Sequence, residues 1–429
     1  MTPGRFYDVV IVGTGHAGAQ AAIALRQRGF SGTLCLLGNE TALPYERPPL
    51  SKDYLSGEKD FARILIRPRE FWVERAIDLL QGHMVVAIDP VGHRVVMADG
   101  LLVGYGRLIW AAGGAPRTLQ CRGAELRGVH VIRTRDDVDR LIGDVADAGR
   151  IVVIGGGFVG LEAAAVLTGL GKSVVLAEAE DRVLARASAE PLSRFYEAEH
   201  RARGVEVHLG AVVRSLTGDG ERVTGVALDD GQMLPCELVI VGIGIVPAIE
   251  PLRAAGAAIG DGVLVDDQCR TSLPDVFAIG DCAAHPNPFV DGAIVRLESV
   301  QNATDQASLV AEVITGGDAH FHAVPWFWSH QYDLKLQTVG LSRGYDQIVM
   351  RGDRMRRSFS VVYLRQKRVI ALDCVNATRD FVQGRALVMA GAQLPADQLA
   401  DPAQSLQTTM RDHLASGRAA GADVQVLTD

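Results

Sequence analysis

Two stretches of this chain repeat one pattern. YDVVIVGTGHAGAQAAIALRQRG (Tyr7 to Gly29) and RIVVIGGGFVGLEAAAVLTGLG (Arg150 to Gly171) each run an apolar strand into Gly-x-Gly-x-x-Gly and then an Ala-rich helix. Each is followed by another apolar strand, TLCLLG or SVVLAE, so each reads as a βαβ unit of the parallel kind. One such glycine pattern arises by chance in a chain with 47 glycines; set between strand and helix, twice, it predicts two dinucleotide sites. Gly13 and Gly155 supply the sharp turn out of the strand, Gly15 and Gly157 let backbone approach a pyrophosphate, and Gly18 and Gly160 let helix pack close on strand. The helix N-terminus then stabilises the phosphate charge.

At 429 residues the chain exceeds one ordinary domain, and about 150 residues per domain gives two to four. Its 48% hydrophobic content with many glycines fits layered α/β structure. A net charge of −8 argues against a general nucleic-acid binder. Six cysteines, at 35, 121, 236, 269, 282 and 374, form no close pair, so neither a disulfide framework nor a zinc site is expected, which fits a reducing cytosol. MTPGRFYDVVIVG runs straight into a strand and leads to the expectation of no signal peptide. The longest apolar region, residues 151–177, is broken by Glu162, Lys172 and glycines and makes a poor membrane span. A cytoplasmic monomer or weak dimer without membrane or nucleic-acid partners is expected.

Between and after the repeats, several segments carry local signals. In LPYERPPLSKDYL (Leu43 to Leu55) three prolines forbid an ordinary helix until after Pro49. A short amphipathic stretch is expected to start at Leu50-Ser51-Lys52, displaying Arg47 and Lys52 near a helix beginning, where they would receive an anion or polar ring or simply be solvated. HRVVMADGLLVGYGRLIWAAGGAPR reads as a hairpin about Asp99-Gly100 and a strand into a Gly-Gly turn, with Arg117 beginning a crossover. CELVIVGIGIVPAIE is a second strand-to-glycine segment, and TSLPDVFAIGDCAAHPN ends its strand at Gly280-Asp281. There Asp281 faces the ligand edge of an α/β sheet or caps a helix. From VPWFWSHQYDLKLQTVG onward, QIVMRG, SFSVVYLR and RVIALDCV read as antiparallel strands and NATRDFVQGRALVMAG as a helix, a separate α+β domain. Past Leu394 the chain is rich in Ala, Gln and Asp, and its last dozen residues are expected to fray.

YERPPLSK, GGGFVGLE, FAIGD, ESVQNATDQA and PWFWSHQYDLKLQ, in this order, resemble the FAD-dependent pyridine-nucleotide oxidoreductases of glutathione-reductase-like fold. Within that group the ferredoxin-reductase branch is the nearest likeness, and it covers nearly the whole chain. The resemblance implies an α/β fold with two Rossmann-like dinucleotide-binding domains and a C-terminal α+β domain. FAD would occupy residues 1–116 with 244–324, NADH residues 117–243, and residues 325–429 would complete the flavin site and end in a flexible tail. For FAD it implies Gly13, Gly15, His16, Ala17, Gly18, Glu40, Arg47, Pro48, Lys52, Val85, Ala111, Gly113, Arg117, Asp281, Glu298, Ser299, Val300 and Trp328, with Gln301 alongside. For NAD it implies Gly155, Gly157, Phe158, Val159, Gly160, Glu178, Gly242 and Gly244. Arg47 and Lys52 would contact the flavin ring and linker, and Asp281 the ribityl chain. Lys52 and Glu162 would pair, as catalytic residues, at the edge where hydride arrives. Glu40, the acid for the adenosine ribose, sits slightly beyond the usual strand end; Trp110 and Ala112 depart from the commoner residues, and His330 replaces an often acidic one.

A flavin accepts hydride as a pair and releases electrons singly, so the protein chiefly positions it. Disulfide-reductase relatives need redox cysteines beside the flavin, yet residues 41–57 contain none; Cys35 falls in a strand and Cys282 follows Asp281. The implied function is NADH-dependent reduction of a [2Fe-2S] ferredoxin serving a haem-thiolate monooxygenase or aromatic-ring dioxygenase. A rubredoxin reductase, an NADH oxidase and a binding switch like apoptosis-inducing factor remain alternatives. Glu178, 23 residues after Gly155, favours NADH because an acid there accepts from ribose hydroxyls and repels a 2′-phosphate. Lys335, Arg343, Arg351, Arg354, Arg356, Arg357, Arg365, Lys367 and Arg368, against Asp346 and Asp353, predict a basic docking face for an acidic ferredoxin.

Overall fold

A computed structural model describes residues 5–419, with side chains to residue 412. The chain forms two compact units, one built from residues up to Val183 with Glu199–Ala323, the other from Leu184–Ala198 with the residues from Val324 on.

The first unit holds both glycine repeats. Strand Arg5–Val12 lies parallel between Leu34–Gly38 and Leu102–Trp110, with Val12 in register with Leu37 and Trp110. All five residues of Leu34–Gly38 are buried, as expected of a parallel strand covered on both faces. Ile77–Gln81 closes one side of this sheet, the antiparallel strands Arg94–Met97 and Val85–Asp89 the other, and Val276–Ala278 joins Leu102–Trp110 in parallel. The expected hairpin forms at Asp99-Gly100, where Met97 N–H donates to Leu101 O at 3.0 Å. Helices His16–Gln27 and Val300–Ile314 pack together through Ala19, Ala22, Ala303, Ala307 and Ala311, residues small enough to bring the two axes close.

The second repeat builds a five-stranded parallel sheet in the order Glu206–Leu209, Ser173–Glu178, Arg150–Ile154, Leu238–Val241, Val129–Val131. Helix Arg135–Asp147 beside it starts with a capping box between Thr134 and Asp137.

In the second unit, five antiparallel strands run in the order Trp326–Gln331, Leu334–Gly340, Arg368–Val375, Ser358–Arg365, Gln347–Asp353, with helix Thr378–Ala390 following. The expected strands and helix are all present. Two helices, Ala396–Ala400 and Leu406–Ala419, follow where the composition alone signalled none. The expected fraying falls, from residue 420 on, outside the described residues.

One member of the expected basic face is elsewhere. Arg351 is 3% exposed, paired with Asp380 at 3.0 Å, and donates to the carbonyls of Leu399, Asp401 and Gln404, so it secures the C-terminal helices from inside. Asp373 is also buried, and burial raises its pKa although it accepts from Tyr363 Oη at 2.5 Å and Thr338 Oγ1 at 2.7 Å. Tyr363 Oη in turn accepts from Ala189 N–H at 2.9 Å, which fastens Leu184–Ala198 into this unit.

Candidate functional site

The two glycine turns share one geometry. Gly13 and Gly155 have φ of +114° and +105°, which only glycine adopts easily. A Cβ at Gly13 would stand 2.2 Å from Ala111 O, and one at Gly155 2.5 Å from Gly242 O. At Gly18 and Gly160 it would strike the carbonyls of Gly13 and Gly155, at 1.8 and 2.0 Å, so these positions hold helix against turn. Gly15 and Gly157 differ: an added Cβ would meet no described atom within 4 Å. Both are helix N-caps without a side-chain cap, heading His16–Gln27 and Phe158–Gly169, and neither helix has an acid in its first turn. The result is two open cradles of backbone N–H groups on which a pyrophosphate would sit.

Around the first cradle, burial, with the charges of Arg47 and Arg133, pushes the His16 pKa down to about 4 and keeps the ring neutral. Ala17 is buried against Gly280, Ala111 lies beneath Gly13, and Val85 is buried in the core of the same sheet. Gly113, at φ +64°, leaves room for the Arg133 guanidinium, which reaches Asp281 at 3.4 Å. Arg117 is exposed and its N–H donates to Gly244 O at 2.9 Å. Glu298 is exposed and paired with Arg296, Ser299 caps the helix that begins at Val300, and Gln301 is buried with Asp305 as a partner. Asn302, not singled out in the sequence, is fully buried, and its Oδ1 has no hydrogen-bond partner among the described residues. A buried acceptor without a donor beside an open cradle fits a site that takes a hydrogen-bonding ligand.

The proline loop is the densest part of the site. Arg47 pairs with Glu40 and donates to Tyr45 Oη at 2.9 Å and Arg133 O at 2.6 Å, its guanidinium 4.8 Å from the Tyr45 ring centroid. Tyr45 Oη donates to Glu40 at 2.5 Å, so the displaced acid and the arginine act as one cluster. No α-helix begins at Leu50, contrary to expectation. Pro48–Ser51 is a 3₁₀ turn, and Lys52 leaves it at φ −133°, ψ −114°, outside helical space. That break turns the Lys52 ammonium onto Glu162, 2.6 Å away, and Pro48 O, 3.2 Å away. The side chains of Lys52 and Glu162 are 14% and 4% exposed, so the pair is largely out of water.

At the second cradle Gly160 is buried, Phe158 partly so, and Val159 faces outward, with Gly242 and Gly244 on the opposing turn. Glu178 accepts from the N–H groups of Gly156 at 2.5 Å and Glu180 at 2.8 Å, which fixes its carboxylate at the strand end. Burial pushes all six cysteine thiols upward, Cys282 to about 12 with its Sγ 3.3 Å from Ile279 O, so the thiolate needed for redox chemistry is disfavoured. Trp328 belongs to the second unit, 5.3 Å from Trp326 between ring centroids, and His330 there is exposed.

Residues 7–307 match the pyridine nucleotide-disulphide oxidoreductase family and residues 326–410 the reductase C-terminal family. A ferredoxin–NAD(P)(+) reductase of Sphingomonas sp. is 57% identical over 405 residues, covering 94% of this chain and 98% of its own. The ferredoxin reductase subunit of 5,5'-dehydrodivanillate O-demethylase from Sphingobium sp. is 57% identical over 92% of this chain and 96% of its own. The structure of the covalent putidaredoxin reductase–putidaredoxin complex superposes with a TM-score of 0.91 at 37% identity, covering 96% of this chain and 99% of that one. Among the described residues no helix is long and apolar enough to cross a membrane. With two open glycine turns at helix starts on its first unit and matches that span nearly its whole length, this chain belongs to the pyridine nucleotide-disulphide oxidoreductase family and is an oxidoreductase that uses FAD and NAD(P)H.

Proposed function

We propose that this protein is an NADH-dependent, cytoplasmic reductase of a [2Fe-2S] ferredoxin that supplies an oxygenase. The observation that carries the reading is the Lys52–Glu162 contact, which joins the proline loop of one dinucleotide cradle to the helix of the other. FAD, bound by residues 1–116 and 244–324, would take a hydride from NADH held by 117–243 and part with electrons singly. This chain's own residues do the rest. The cradles at Gly15 and Gly157 bind the pyrophosphates, Glu40 takes the adenosine ribose, Arg47, Asp281 and Asn302 orient the flavin, and Glu178 selects the ribose of the nicotinamide nucleotide. Lys52 and Glu162 set the charge at the reacting edge.

Without a reactive thiol, the electrons need an external acceptor, and two relatives at 57% identity bear ferredoxin reductase names. The docking surface in this reading is the hairpin tip 353–357, where Arg354 and Arg356 are exposed and flank Met355, itself 91% exposed. The test is aerobic turnover with NADH and cytochrome c. Cytochrome c reduction that depends on added [2Fe-2S] ferredoxin supports the reading. Equal NADH consumption without ferredoxin, matched by oxygen uptake, supports an oxidase and contradicts it, as does faster turnover with rubredoxin.

A further inference from the structure

We infer that Ser51 is a positioning residue for the Lys52–Glu162 pair, an inference that rests on the reading that this pair borders the reacting flavin edge. Ser51 is 4% exposed, and its Oγ lies 2.6 Å from Glu162 Oε2 and 3.4 Å from Pro48 O. A hydroxyl has one proton to donate, and the nearer, charged acceptor takes it. Lys52 Nζ lies 2.6 Å from the same oxygen, so two consecutive residues converge on Glu162 Oε2. Their convergence comes from the 3₁₀ turn Pro48–Ser51, whose prolines fix the backbone that aims both side chains.

The arrangement makes the ion pair separable. Lys52 has a second acceptor in Pro48 O, 3.2 Å away, so the ammonium can turn toward a ligand and remain anchored. A buried carboxylate that loses its cation is strongly destabilised unless another donor stays on it. Ser51 is such a donor. Its hydroxyl holds Glu162 in one orientation while Lys52 exchanges between Glu162 and the bound flavin or nicotinamide.

The test compares FAD-loaded wild type, Ser51→Ala, Ser51→Thr, Glu162→Gln and the Ser51→Ala/Glu162→Gln double variant. Each is mixed anaerobically with NADH in a stopped-flow instrument, and the carboxylate band of Glu162 is followed by isotope-edited infrared spectroscopy of the oxidised protein. Ser51→Ala is expected to slow flavin reduction about tenfold, the scale of a lost hydrogen bond to a charged group. NADH affinity should be unchanged and the Glu162 band should shift. Ser51→Thr should restore most of the rate, and Ser51→Ala should add nothing in the Glu162→Gln background. Slow Glu162→Gln with unchanged Ser51→Ala overturns the role of Ser51 alone, as does an equal loss from Ser51→Ala in both backgrounds. An unchanged rate in Glu162→Gln removes the pair from the reaction, and this inference with it.

Discussion

The Lys52 ammonium and the Glu162 carboxylate meet at 2.6 Å although 110 residues separate them in the chain. The contact ties the loop after the first glycine motif to the helix of the second. Removing the cation beside a buried carboxylate costs about 3–5 kcal/mol when the charge stays uncompensated, and the Ser51 hydroxyl on Glu162 offsets only part of that. Lys52→Met is therefore expected to lower the melting temperature of the first unit and loosen FAD, and adding Glu162→Gln should recover part of the loss. Differential scanning calorimetry with flavin release followed by fluorescence checks both outcomes.

The Glu178 carboxylate, held by the N–H groups of Gly156 and Glu180, is already oriented at the strand end. A 2′-phosphate placed there would meet a fixed negative charge, so kcat/KM should favour NADH over NADPH by on the order of 100-fold. Glu178→Gln should cut that preference about tenfold, mostly by improving NADPH. Steady-state kinetics with both nucleotides decides this, and near-equal efficiency in the wild type would remove Glu178 from the selecting role.

His285 gives a signed pH dependence. It is fully buried among Gln306, Asn287 and the Phe321 ring, all neutral, and burial pushes its pKa from 6.5 down to about 4. Between those values the unfolded chain binds a proton that the folded one refuses, so stability is present above pH 6.5 and lost as pH falls toward 4. The full loss is about 3 kcal/mol from this residue. His16, also near 4, and His130, pushed below 6.5 by burial, act with the same sign, so His285→Gln should remove part of the slope and leave the rest. Urea midpoints of the first unit at pH 7 and pH 5 measure it.

Much of this architecture was legible because it rests on local rules. The glycine turns need positive φ and close backbone approach, the Asp99-Gly100 hairpin follows from turn chemistry, and the edge strand Gln347–Asp353 alternates with period two, while Ser358–Arg365 beside it is buried on both faces. The same alternation held an unused signal. In Gln347–Asp353 it places Arg351 on the face of buried Val349, so counting Arg351 as surface charge overrode the pattern. Other features depend on distant partners. The 3₁₀ turn at Pro48 closes against Glu162, Asn302 is orphaned only by what surrounds it, and Leu184–Ala198 joins the second unit through Tyr363. No local pattern encodes those meetings.

With Arg351 buried, the proposed basic docking face loses one member. Arg357 is paired with Asp333 and Arg356 lies 3.6 Å from Asp353, while Arg354, Lys335, Arg343 and Lys367 are exposed, and the tip carrying Arg354 and Met355 is the part of that proposed face to test first. Arg354→Glu with Arg356→Glu is expected to lower the bimolecular rate with an acidic ferredoxin about tenfold at low salt and to flatten its salt dependence. NADH-driven ferricyanide reduction should be untouched. Unchanged ferredoxin rates at every ionic strength would place the docking surface elsewhere.

The central claim, that a hydride enters and single electrons leave to a ferredoxin, is tested most directly by counting electrons. Limiting NADH is added anaerobically to the FAD-loaded protein with excess oxidised [2Fe-2S] ferredoxin, and reduced ferredoxin is measured from its absorbance. The account predicts two ferredoxins reduced for each NADH, since a hydride carries two electrons. Reduced flavin that persists beside oxidised ferredoxin, or NADH oxidised anaerobically without two ferredoxins reduced, would contradict it.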